Sequence, residues 1–257
     1  MIRGIYTSAS GMILNQKVMD ITANNMANVD TTGYKKDIAQ IESFSKILAK
    51  RINDRTIDSP DGSIGYMSLG ADVSRIYTDT SEGLLKKTDQ PLELAIKGEG
   101  FFTVEKINPQ TNTAERFLTR NGAFTLNQNG ELVTLDGYRV LGQNGSIKLN
   151  STSNIRIDKQ GNIYQNNQLV DKLLIINIDS KESLAKVGNN LFMINGNANP
   201  VQFSGEVLQG YLEGSNVNAI QEMVNMISLL RNYESNQKAF TIQDETLQKA
   251  VNEIARK

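Results

Sequence analysis

Cysteine, histidine and tryptophan are all missing from this 257-residue chain, and proline occurs only four times. Without cysteine there is no disulfide, no thiol nucleophile and no thiolate metal site. Without histidine the commonest general base is gone as well. Aromatic residues make up 6% of the chain, too few to line a large aromatic pocket. Basic and acidic residues number 27 and 28, a net charge of −1, and no basic run stands out, which argues against a nucleic-acid partner. No apolar run reaches the roughly 18 residues that cross a membrane. The opening residues lack an uninterrupted apolar segment and a cleavage site, so the N-terminus is expected to persist in the mature protein.

The chemistry-bearing patterns that remain are weak. Gly98 and Gly100 form a Gly-x-Gly, but the third glycine is missing and the pair sits between two short strand-like runs, as in a tight β connection. Carboxylates are plentiful, yet no spacing pairs two of them as acid and base. No catalytic residue, cofactor-binding residue or metal ligand is identified. The expectation is a non-enzymatic protein with no cofactor and no small-molecule substrate.

What is abundant is helical and strand periodicity. Ser215 to Lys257 contains neither glycine nor proline. Stepping by four and three from Ala219 gives Ala219, Met223, Met226, Leu230, Tyr233, Gln237, Phe240, Asp244, Leu247, Val251 and Ile254. Nine of these eleven are apolar, where a 39% hydrophobic share would supply about four. This is a coiled-coil-like seam on a helix about 54 Å long. The same spacing at the other end gives Ile2, Ile5, Ala9, Met12, Gln16, Met19, Ala23 and Met26, seven of eight apolar. Each such side chain left in water forgoes roughly 1.5–3 kcal/mol, so the seams need partners. Periodicity alone leaves two readings open: a helical hairpin within one domain, or terminal helices that zip against neighbouring copies.

Between the helices the period changes. An Asn-rich turn through Gly33 should end the first helix. Ile38, Ile41, Phe44, Ile47 and Leu48 keep helical spacing until Asp58-Ser-Pro-Asp-Gly62 breaks it, and this charged segment reads as an extended arm or as ordered only by a partner. From Leu69 the alternation is of period two. Asn121-Gly122, Asn129-Gly130, Asp136-Gly137, Asn144-Gly145 and Asn195-Gly196 punctuate short strands as hairpin signals. Residues 128–132 and 159–163 echo one another in a turn-then-strand form, as two similar hairpins. The fold class is therefore mainly β with terminal α-helices: a hairpin-rich, barrel- or sandwich-like body inserted between two coiled-coil helices. The expected divisions are 1–35, 36–68, 69–214 and 215–257.

Several stretches taken together resemble the bacterial flagellar rod and hook proteins. The first is Ala9-Ser-Gly-Met12 followed by Ala23 to Lys35, with Asn24, Asn25, Asn28, Gly33 and Tyr34. The second is Pro91 to Phe102, with Gly98, Gly100 and Phe101. The third is Thr119 to Phe124, with Arg120 and Gly122. The last is Gly210 to Asn218, with Ser215, Asn216 and Val217, continuing into Met223 to Lys238. Met26, Asp30 and Glu93 depart mildly from the family pattern, and the length fits a rod protein better than a hook protein. The resemblance implies a structural subunit that polymerises through its terminal helices to transmit torque. Its partners would be copies of itself, other rod and hook proteins and the flagellar export apparatus. It also implies export past the inner membrane without a cleaved signal, residence in the basal body, and ends that order on assembly. The competing reading of the residues is a secreted β-domain adhesin on a helical stalk.

Overall fold

The computed structural model describes residues 2–50, 63–107, 113–150, 154–179, 184–194, 200–201 and 203–254. The chain divides into two compact units, one made of residues 1–26, 37–77 and 219–257 and the other of 27–36 and 78–218.

The first unit carries helix α1 (Ile2–Ala27), strands β1 (Asp37–Ser43), β2 (Ile47–Lys50), β3 (Ser63–Met67) and β4 (Ala71–Thr78), and helix α2 (Ala219–Ile254). Helix α2 runs uninterrupted because nothing in it lacks an amide donor or a side chain. Glu222 in its first turn faces the positive end of the helix dipole. Strand β1 pairs with β4, and β2 with β3. The helical spacing of Ile38 to Leu48 thus yields to strand pairing: β-branched isoleucines suit a pleated surface, and β4 supplies the ladder for β1 as β3 does for β2. Ser10 in α1 holds this arm, its hydroxyl donating to the Ala71 carbonyl at 2.8 Å. Of the segment 36–68, residues 51–62 lie outside the described residues.

The second unit is β throughout: β5 (Leu85–Lys87), β6 (Leu94–Lys97), β7 (Phe101–Ile107), β8 (Ala114–Thr119), β9 (Phe124–Leu126), β10 (Leu132–Thr134), β11 (Arg139–Gly142), β12 (Gly145–Ser146), β13 (Ile155–Ile157), β14 (Asn162–Gln165), β15 (Gln168–Lys172), β16 (Ile175–Ile178), β17 (Leu184–Val187), β18 (Leu191–Ile194), β19 (Pro200–Val201), β20 (Glu206–Gln209) and β21 (Tyr211–Glu213). The main sheet runs β17-β18-β8-β7-β11-β10-β9, with β12, β16 and β19 attached; β13-β14-β15 form a second sheet, and β20 pairs β6 as β21 pairs β5. Among the described residues no strand path closes into a barrel. Phe102, Val104, Phe124, Leu132, Val140 and Ile163 are buried at the centre of this unit. Phe102 and Phe124 meet edge to face with centroids 5.1 Å apart.

Three of the hairpin signals fall where turn chemistry puts them. Asn129-Gly130 joins β9 to β10 with Leu126 opposite Leu132, Asp136-Gly137 joins β10 to β11, and Asn144-Gly145 joins β11 to β12. Asn121-Gly122 does something else. Strand β8 pairs with β7 and β18 while β9 pairs with β10, so this dipeptide links strands that are not neighbours. The Leu94 amide donates to the Gly122 carbonyl at 3.0 Å, and a side chain at Gly122 would collide with the Leu94 carbonyl. Asn195-Gly196 lies outside the described residues. The echo between 128–132 and 159–163 has a shared cause in the residue just before each stretch. The Asn127 Oδ1 accepts from the amides of Asn129 and Glu131 at 2.9 and 2.8 Å. The Asp158 Oδ1 accepts from those of Gln160 and Asn162 at 3.0 and 2.8 Å. Both are side-chain-closed turns.

Candidate functional site

Three far-separated charged residues meet inside the second unit. Lys35 and Glu213 have fully buried side chains, and that of Arg120 is 3% exposed. The Lys35 Nζ lies 2.5 Å from the Glu213 Oε1 and donates also to the Ser81 carbonyl at 2.6 Å. The Gly83 amide donates to the same carboxylate oxygen at 3.0 Å. The other oxygen, Oε2, receives the Arg120 Nη1 at 3.1 Å. Arg120 extends the grip to β6, donating to the carbonyls of Ile96 at 3.2 Å and Gly98 at 2.6 Å. Its guanidinium lies over the Phe101 ring, 5.2 Å from the centroid. Two cations thus share one carboxylate out of contact with water. Burial pushes the Lys35 pKa below the usual lysine range, and the Glu213 charge beside it opposes that shift.

Around this core the backbone is tied by short bonds. The Gly33 amide donates to the Glu213 carbonyl at 2.7 Å, the Asp79 amide to the Lys36 carbonyl at 2.9 Å, and the Gly214 amide to the Leu84 carbonyl at 2.9 Å. Asn216 accepts from the Lys36 amide at 2.8 Å and donates to the Asp79 carbonyl at 2.9 Å. Tyr34 is fully buried; the Lys186 Nζ sits 3.9 Å from its ring centroid and donates to the Lys35 carbonyl at 2.8 Å.

Sequence reading placed Gly33, Tyr34, Gly98, Phe101, Arg120 and Asn216 in separate motifs, and the fold brings them together here. Val217 is buried, and the hydroxyl oxygen of Ser215 accepts its amide proton at 3.2 Å. Gly100 packs against Phe203, and Gly122 serves the Leu94 crossing. Asn25 exchanges bonds of 2.8 and 2.9 Å with the Asp37 backbone within the first unit. Asn28 follows the end of α1, its side chain accepting from the Thr31 hydroxyl at 3.2 Å, and Asn24 is exposed. Lys35 and Glu213 were not singled out. No local period marks a buried charge, because both stand in short segments whose neighbours do not repeat.

In the first unit the helical seams divide by exposure. Met226, Tyr233, Phe240 and Leu247, seven apart, are half-buried, while Met223, Leu230 and Val251 are exposed. Ile5, Ala9, Met12, Met19 and Met26 are half-buried and Ala23 is exposed. The side chains of Ile2 and Ile254 lie outside the described residues. A second apolar row is open to solvent: Ile220 at 73%, Val224 at 52% and Ile227 at 51% exposure continue the line of Met223 and Leu230. Among the described residues no group of carboxylates could hold a metal ion, and no helix is long and apolar enough to cross a membrane.

Three family models match the chain. One described as flagella basal body rod protein covers residues 5–35. The flagellar hook protein FlgE/F/G D1 domain covers 95–165, and the flagellar basal body rod FlgEFG protein C-terminal region covers 208–253. A flagellar basal-body rod protein FlgG of Buchnera aphidicola from Acyrthosiphon pisum is 35% identical over 270 residues, spanning 97% of this chain and 98% of the relative. The FlgG of Bacillus subtilis is 32% identical across 98% of this chain and 99% of its own. A FlgF of Rhizobium meliloti is 31% identical, with 96% of each covered. The chain belongs to the flagellar basal-body rod protein family. Each of the three rod-family spans contributes one member of the buried cluster: Lys35 from the first, Arg120 from the second and Glu213 from the third.

Proposed function

We propose that this rod-family chain is a structural subunit of the bacterial flagellar rod, the axial shaft of the basal body. It polymerises through its terminal helices and transmits torque. Its partners are further copies of itself and the other axial proteins of rod and hook. It reaches them by the flagellar export apparatus and performs no catalysis. The observation that carries the reading is the apolar row from Ile220 to Leu230 on α2, exposed in a chain whose relatives are named rod proteins. A row of that kind forgoes roughly 1.5–3 kcal/mol per side chain until something covers it. Neighbouring copies supply the cover, and the seam residues of α1 and α2 together with this row form the assembly surface. The adhesin alternative is not favoured by relatives that are rod proteins.

The test is a double substitution, Ile227→Glu with Leu230→Glu, beside removal of the last turns that carry Leu247, Val251 and Ile254. Both variants are expected to keep the β unit folded and to lose polymer in sedimentation and electron microscopy, with motility lost in the cell. Normal rods from either variant would overturn the assignment of this surface.

A further inference from the structure

We infer that the Lys35–Glu213–Arg120 cluster, with Asn216 beside it, is a mechanical joint that gathers every chain crossing between the two units onto the main sheet. The inference rests on the rod reading, because only a subunit that transmits torque has use for such a joint. The chain passes from one unit to the other at four places: 26/27, 36/37, 77/78 and 218/219. On the second unit's side these crossings are flanked by three segments, 27–36, the stretch from Thr78 onward, and the stretch up to Asn218. At the cluster each segment is bonded to both of the others. The first joins the second through the Asp79 amide on the Lys36 carbonyl and the Lys35 Nζ on the Ser81 carbonyl. It joins the third through the Lys35–Glu213 pair and the Gly33 and Lys36 amides. The second joins the third through the amides of Gly83 and Gly214 and the Asn216 side chain. Arg120, which directly follows β8 of the main sheet, then ties the shared carboxylate to the Ile96 carbonyl in β6 and the Gly98 carbonyl just beyond it.

A pull on any of the four crossings therefore reaches the sheet through Glu213 and Arg120, and also through the bond from Lys186 of β17 to the Lys35 carbonyl. The choice of charge makes sense in this light. Burying three ions costs solvation that their attraction only partly returns, so stability alone does not call for them. What fixed donors and acceptors supply is direction: an apolar contact slides at little cost, while charge-assisted bonds in a set geometry resist shear.

The test uses the full chain. One variant replaces the cluster with apolar side chains of similar size, Lys35→Met, Arg120→Leu and Glu213→Leu. A second, Asn216→Ala, leaves the charges in place and removes one set of ties, and it serves if the first does not fold. Hydrogen exchange is followed at the amides of Gly33, Lys36, Asp79, Gly83 and Gly214, with Val104 and Leu118 in the sheet as reference. Assembled polymers are imaged for bending persistence. The expected result is exchange about tenfold faster or more at the junction, unchanged exchange in the sheet, and polymers that form but are about twofold less stiff. Wild-type protection at the junction, or polymers of wild-type stiffness, would overturn the joint. If the unsubstituted chain forms no polymer, the rod reading fails by itself and the joint falls with it, whereas softened polymers from the variants support both.

Discussion

Gly11 of α1 stands opposite the side-chain amide of Asn236 in α2, and one heptad earlier Gly4 stands opposite Gln243. A methyl group on Gly11 would come within 2.8 Å of the Asn236 Nδ2, and one on Gly4 would crowd the Gln243 amide. The two pairs run in opposite directions along the helices, so α1 and α2 pack antiparallel in one register, small residue to long amide. Gly4, Ser8, Gly11, Asn15, Val18, Thr22 and Asn25 form the matching line on α1, each at least half-buried. The facing atoms are the ends of flexible side chains, which can swing aside. Gly11→Ala is therefore expected to be nearly neutral, the crowding offset by up to about 1 kcal/mol of helix propensity. Gly11→Leu is too large for that adjustment and is expected to cost about 1–3 kcal/mol. Thermal melts followed by circular dichroism check both, and Asn236→Ala combined with Gly11→Leu should recover part of the loss.

The buried cluster predicts an asymmetry between its members. Glu213→Ala leaves Lys35 and Arg120 facing each other without a counter-charge, and breaking a buried pair in this way costs about 3–5 kcal/mol. Lys35→Met leaves Arg120 and Glu213 as a balanced pair and fills the space with an apolar chain, so it is expected to change stability by less than about 1 kcal/mol. Burial lowers the folded-state pKa of Lys35, so the unfolded chain binds more protons between that value and the ordinary lysine pKa. Stability should therefore rise with pH across that alkaline window, and Lys35→Met should flatten the rise. Urea titrations at a series of alkaline pH values measure both effects.

Acid acts elsewhere, on the contact between α1 and the arm. Lys17 donates to both oxygens of Asp72, at 2.7 and 2.9 Å. That bond, with the Val73 amide, holds the Asp72 pKa below the ordinary aspartate value. A depressed folded-state pKa contributes stability above the unfolded value and loses it as pH falls through the folded one. The pair is exposed, so the effect is small and weakens with salt. Amide exchange in β4 is expected to quicken as pH drops below the aspartate range, once corrected for intrinsic exchange, and Asp72→Asn should remove that dependence.

Periodicity carried the parts of this fold that local chemistry decides. Helix α2 was legible because forty-odd residues without glycine or proline have one regular conformation open to them, and β9 to β12 were legible because Asn-Gly and Asp-Gly specify their turns. The strands β1 and β2 were not, since isoleucines at helical spacing were overridden by ladders to partners distant in the chain, β4 for β1 and β3 for β2. The buried cluster was half-legible. Gly33, Tyr34, Arg120 and Asn216 stood out as motif residues, but that Lys35 and Glu213 would neutralise one another across 178 residues depends on topology that no window contains. The outer apolar row of α2 is hidden for a different reason: it shares Met223 and Leu230 with the seam, so two apolar lines on one helix overlap in a single spacing.

Gly33 and Gly137 separate two reasons for a glycine. Both have positive φ, 69° and 84°, a conformation that costs an ordinary side chain about 1 kcal/mol and that asparagine tolerates. Around Gly137 a new side chain would meet nothing within 4 Å, whereas at Gly33 it would collide with the backbone between Arg120 and Asn121. Gly137→Ala should therefore cost about 1 kcal/mol and Gly137→Asn almost nothing. At Gly33 asparagine gives no relief, because the obstacle is main chain that cannot turn aside, and both Gly33→Ala and Gly33→Asn should cost about 2 kcal/mol or more. The loss should be concentrated where Gly33 sits, so the amides of Gly33 and Gly83 are expected to exchange faster in these variants while those of Val104 stay protected. Equal tolerance of asparagine at the two positions, read from denaturant midpoints, would mean that the 120–121 backbone moves freely and that the cluster built on it is not rigid.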